Sequence, residues 1–128
     1  MGSTQKAILV ASCDPHLADV RKSILETAGF IVHTALDASA VESACAQYNI
    51  GLLMIGYSML PADKRRIWKV AREKCNVPIL ELLRSGAPEL IDQNVFHHES
   101  ISVDDFLEAV HKLTSRSFAP ETRRPRRL

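Results

Sequence analysis

The sequence predicts an α/β fold: a five-stranded parallel sheet with helices on both faces. Three observations carry that expectation. Five apolar or β-branched runs alternate with helical segments along the 128 residues. Two of the runs, KAILVA at 6–11 and GLLMIG at 51–56, are almost unbroken apolar stretches, the mark of strands buried on both faces. The intervening segments are long enough for right-handed crossovers.

The elements follow in order. After the first strand, Asp14-Pro15 opens a helix, with Pro15 in the first turn. Leu17, Val20, Ile24 and Ala28 recur at helical spacing and form its expected apolar face, and Gly29 ends it. Phe30 to Ala35 is β-branched and reads as the second strand. Asp37 caps a second helix whose stripe is Val41, Ala44, Cys45 and Tyr48. Gly51 to Gly56 is the third strand. Pro61 opens a third helix with Ile67, Val70 and Ala71 on one face. Val77 to Leu83 is the fourth strand, with Pro78 near its start. Between Arg84 and Gln93 only one or two helical turns fit, around Pro88 to Ile91, so the fourth helix is expected to be short. Asn94 to His98 is a weak fifth strand. Ser102 to Asp105 resembles a capping box, and Phe106, Val110 and Leu113 give the last helix its stripe.

Length and composition bound the function classes. The chain is one domain's worth of sequence, with 46% apolar and 24% charged residues. No apolar run is long enough to span a membrane, and no secretory leader pattern is present, so a cytoplasmic protein is expected. Cys13, Cys45 and Cys75 have neither zinc nor redox-motif spacing and are expected to be reduced. Residues 1–113 hold 11 Lys/Arg against 14 Asp/Glu, while residues 114–128 hold five Arg against one Glu. The expected organisation is a disordered stretch or tag remnant at 1–5, a domain at 6–114 and a basic flexible tail at 115–128.

Several segments together resemble the receiver domain of two-component response regulators. ILVASCDPHL resembles that family's first strand followed by paired acids. YSMLP at 57–61 resembles the segment after its third strand, and VPILELL resembles its fourth strand. NVFHHES followed by SVDDFLEAV resembles its fifth strand, loop and last helix. The resemblance covers about residues 6–114. It implies a flavodoxin-like, doubly wound sheet in the order 2-1-3-4-5 and a place in phosphorelay signalling.

The same resemblance implies that the phosphoryl chemistry is gone. The reaction needs a carboxylate nucleophile, acidic ligands for Mg²⁺, and a Lys and a hydroxyl around the product. The acceptor position falls on Tyr57, and no Asp or Glu lies from Asn49 to Ala62. The paired acids fall on Ser12 and Cys13, both poor ligands for a hard cation, leaving Asp14 alone. The hydroxyl position falls on Leu83, with Ser85 a substitute after a shift, and the Lys position on Glu99, or His98 with a gap. Phe96 lands on the family's switch aromatic. The expectation is a pseudo-receiver that binds a signalling protein, or a second copy of itself, with no catalysis and no Mg²⁺ or other cofactor. The competing readings are a conventional phosphoreceiver with a misassigned site, and a nucleic-acid-associated protein on the same scaffold.

Other features have a functional and a bland reading. Tyr57 is a packed aromatic closing the old pocket in preference to a modifiable hydroxyl. Cys13 is a small buried filler in preference to a redox sensor. His97 and His98 point to opposite faces of a strand and cannot share a metal, so no metal site is expected. Lys64, Arg65, Arg66, Lys69 and Arg72 on the third helix form a candidate basic docking face, with a solvated surface as the alternative. The arginine-rich tail could meet nucleic-acid phosphates, but a linker is the favoured reading, and no membrane contact is expected.

Overall fold

The computed structural model describes residues 6–57, 59–83, 90, 95–99 and 102–117, and of 99, 116 and 117 the backbone alone. The elements run β1 (Ala7–Ala11), α1 (Pro15–Thr27), β2 (Val32–Ala35), α2 (Ala38–Gln47), β3 (Ile50–Ile55), α3 (Pro61–Lys74), β4 (Ile79–Leu83), β5 (Val95–Glu99) and α4 (Val103–Ser117). All strand pairs are parallel, and the sheet order is β2-β1-β3-β4-β5. This is the expected doubly wound topology. The expected short helix near 88–91, the first five residues and the tail beyond 117 lie outside the described residues.

The alternating parity of the strands builds two cores. Leu9, Ala11, Leu53, Ile55 and Ile79 face α2 and α3, where Val41, Ala44, Ile67 and Ala71 meet them. Ile8, Val10, Leu52, Met54, Leu80 and Leu82 face α1 and α4, where Leu25, Phe106, Val110 and Leu113 meet them. β1 and β3 are buried along their whole length, which is why neither shows polar alternation.

The helix ends follow their capping residues. Asp14 accepts from the His16 and Leu17 amides at 3.0 and 3.4 Å, and Asp37 accepts from Ala40 N–H at 2.8 Å. Ser102 Oγ accepts from Asp105 N–H at 3.1 Å. Gly29 has φ +102°, the left-handed conformation that ends a helix cheaply only at glycine.

Three sequence expectations are corrected. The buried face of α1 is Ala18, Arg21 and Leu25, while Leu17 and Ile24 are half-buried and Val20 is exposed. Ala18, Arg21 and Leu25 share helical spacing as well as the apolar set does, and the helix is turned so that an arginine enters the interior. Second, α4 runs to Ser117, past the point where the tail was expected to begin. Third, Cys45 and Cys75 are joined in a disulfide that ties α2 to the end of α3, so only Cys13 lies outside a disulfide. Their distance of 30 residues in sequence hid a pairing that the packing of α2 on α3 creates. Among the described residues, no helix is long and apolar enough to cross a membrane.

Candidate functional site

The carboxyl ends of the parallel strands form one edge, the usual place for a site in such sheets. The register brings the residues singled out from sequence to that edge. Ala11 lies opposite Ile55, Ile55 opposite Glu81, and Leu83 opposite Glu99. The chain therefore leaves β1 at Ser12-Cys13-Asp14 and leaves β3 at Gly56-Tyr57 side by side, with Gly56 N–H donating to the Ala11 carbonyl at 2.9 Å.

Each residue there has a local structural task. Ser12 is fully buried, and its hydroxyl lies 3.2 Å from both the amide nitrogen and the carbonyl oxygen of Asp14. The Asp14 carboxylate is committed to the α1 cap described above. Cys13 is exposed, which corrects the expectation of a buried filler: it sits in the turn between strand and helix, outside both cores. Leu83 is half-buried and offers no hydroxyl. Glu99 ends β5, and its side chain lies outside the description.

Tyr57 is half-buried against the α1/α4 core. Its ring is covered by the Arg21 guanidinium, 5.1 Å from the ring centroid, a cation–π contact. Arg21 is 7% exposed, and its Nη1 has no hydrogen-bond partner among the described residues. Burial pushes the guanidinium below its ordinary pKa, and the nearby Tyr57 and Asp14 act in the opposite direction. Nη1 lies so close to Gly56 that a Cβ there would stand 2.6 Å from it, so only glycine leaves the arginine its place. A cation thus reaches from α1 to the end of β3. Sequence reading missed it because the face chosen for α1, Leu17, Val20, Ile24 and Ala28, does not include Arg21.

A second polar cluster lies beneath the edge on the α2/α3 side. Lys64 Nζ donates to Glu81 Oε2 at 2.9 Å, with side-chain exposures of 9% and 0%. Glu81 Oε1 accepts from the Leu90 amide at 3.1 Å. His97 Nε2 lies 2.6 Å from the Leu90 carbonyl and 3.5 Å from Glu81 Oε1, and two acceptors select the tautomer with its proton on Nε2. The signal was legible, because a glutamate inside the apolar run ILELL needs a buried partner. Lys64 therefore leaves the candidate docking face, which keeps the exposed Arg65, Arg66, Lys69 and Arg72. Arg72 lies over the Trp68 ring at 5.3 Å.

The His97 ring joins the Glu81 cluster, and both His97 and His98 border a cavity with Phe96, Asp105 and Glu108. Phe96, at the expected switch position, is half-buried against the α1/α4 core. No group of three or more His, Cys, Asp or Glu suited to a metal exists among the described residues.

No protein-family model matches the chain, and no curated protein matches it in sequence. Solved structures do. The Vibrio cholerae chemotaxis protein CheY4 superposes with a TM-score of 0.72 at 15% identity, covering 85% of this chain and 98% of that one. The signal receiver domain of an HD domain-containing protein from Pseudomonas fluorescens reaches 0.76 at 12% identity, covering 91% and 99%. The receiver domain of Francisella response regulator 1452 reaches 0.68 at 21% identity, covering 87% and 98%. The fold is that of the CheY-like response-regulator receiver domains.

Proposed function

We propose that this receiver-fold chain is a signalling module that acts by binding a protein partner, without accepting a phosphoryl group. The observation that carries the reading is the occupancy of the strand edge. Tyr57, to which the resemblance assigns the acceptor position, lies under the Arg21 guanidinium, and the one carboxylate in the β1–α1 turn, Asp14, caps a helix. Ser12 and Cys13 give no hard-cation ligands, so Mg²⁺ has no strong site there. The chain then has no reaction of its own, and its output is a surface.

The named structural neighbours support the signalling setting. One is a receiver domain in an HD domain-containing protein, and another is the N-terminal domain of a response regulator/sensory box/GGDEF protein from Carboxydothermus hydrogenoformans. The exposed Arg65, Arg66, Lys69 and Arg72 favour an acidic partner surface over a second copy of this chain, which would set like charges together. The reading places the chain in the cytoplasm, where the Cys45–Cys75 bond is expected to open.

A titration tests the proposal. Mg²⁺ to millimolar levels, with and without beryllofluoride as the aspartyl-phosphate mimic, should leave the thermal midpoint unchanged. A saturable rise would show a working cation site.

A further inference from the structure

We propose that the cavity between α1 and α4 binds a small monocarboxylate with an apolar body, and that Arg21 anchors its charge. The proposal goes beyond the phosphorylation-independent reading and does not depend on it, since it stands on the cavity alone.

The cavity has a volume of about 400 Å³ and is lined by α1, the end of β3, β4 and the start of α4. That lies within the range of small-molecule sites. Its walls are mainly aliphatic and aromatic: Leu17, Val20, Ile24, Leu82, Val103 and Phe106. Val20 and Val103 are 41% and 52% exposed at its rim, apolar side chains left open to water in the bare protein.

The polar end is built from Arg21 and Tyr57. Arg21 lines the cavity and is more than nine-tenths buried, so its guanidinium charge is held largely out of water at that end. A charge held out of water favours an opposite charge beside it. A carboxylate seated at the Tyr57 end meets that charge. The N-terminus of α4, at Ser102 and Val103, also borders the cavity, and the start of a 15-residue helix favours a negative charge. Among the described residues, no acidic side chain lines the cavity. Asp105, in the first turn of α4, borders the separate cavity at His98, and Asp14 is held in its cap.

These features also set the ligand class. One cation among the described lining residues, in apolar walls, suits a single negative charge on a hydrophobic body, not phosphate or a polyanion. The volume fits roughly ten non-hydrogen atoms with space to spare, and the affinity expected is about 0.1–1 mM, inside the wide range that ligand-efficiency limits allow.

The test uses octanoate, octanol and inorganic phosphate on the full chain. Octanoate should raise the thermal midpoint saturably and shift the methyl resonances of Leu17, Val20, Ile24 and Val103. Octanol should bind about tenfold more weakly, the worth of one charge-assisted hydrogen bond, and phosphate should do nothing. Arg21→Met should bring octanoate down to the octanol level. Val103→Trp, at an exposed rim position, should block both ligands while the circular dichroism spectrum is unchanged, which keeps the test decisive if Arg21→Met does not fold. The proposal is overturned by no saturable octanoate binding at about 10 mM, tenfold above the weakest expected affinity. Equal binding of octanoate and octanol, or methyl shifts outside this cavity, overturns it equally.

Discussion

Replacing Lys64 by Met removes the cation from a pair that is almost wholly out of water. The Lys64 side chain is 9% exposed, and that of Glu81, whose carboxylate it holds at 2.9 Å, is 0% exposed. Breaking such a pair from one side leaves a buried charge uncompensated and typically costs about 3–5 kcal/mol. Here the Leu90 amide still donates to Glu81 at 3.1 Å and His97 stands 3.5 Å away, so the loss should fall near the lower bound, about 3 kcal/mol. For a domain of this size that is a fall of roughly 10 °C in the thermal midpoint. Urea unfolding gives the free energy directly, and an unchanged slope keeps the comparison valid. Adding Glu81→Gln neutralises the stranded charge and keeps an acceptor for Leu90, so the double variant should recover most of the loss. A single variant within about 1 kcal/mol of the parent, the range of exposed pairs, would refute the buried-pair reasoning.

Three further outcomes follow from the same geometry. Gly56→Ala should displace the Arg21 guanidinium from Tyr57, because the new Cβ would meet Nη1 at 2.6 Å; the measurable result is a change in Tyr57 ring shifts with about 1 kcal/mol of lost stability. Asp14→Ala should cost about 1 kcal/mol through the lost cap, while Asp14→Asn, which still caps, should stay within a few tenths. Reducing the Cys45–Cys75 bond releases a closure across 30 residues and should lower stability in denaturant by about 3–4 kcal/mol in the chain-entropy account.

The fold was legible because its signals are periodic and local. The apolar runs, the caps at Asp14 and Asp37 and the stop at Gly29 each settle one element, and alternation settles the topology. The Phe106, Val110 and Leu113 stripe is buried as its spacing requires. What escaped was set by tertiary contact. Two helical stripes on α1 were equally periodic, and the choice of Ala18-Arg21-Leu25 depends on Gly56 leaving room for a guanidinium. Lys64 read as one of a basic run until β4 placed Glu81 opposite it. Cys45 and Cys75 became neighbours only through helix packing. The candidate site was half legible: the sequence located Ser12, Asp14 and Tyr57 at one edge, but not the cation that covers Tyr57.

The central claim is that the strand edge no longer accepts a phosphoryl group. Intact-protein mass spectrometry after incubation with acetyl phosphate and Mg²⁺ tests it most directly, with a conventional receiver domain run alongside as the positive control. The account predicts no added phosphoryl group on this chain, acid-labile or acid-stable, while the control is labelled. A stoichiometric adduct on Tyr57, Asp14 or any neighbour at that edge would contradict it.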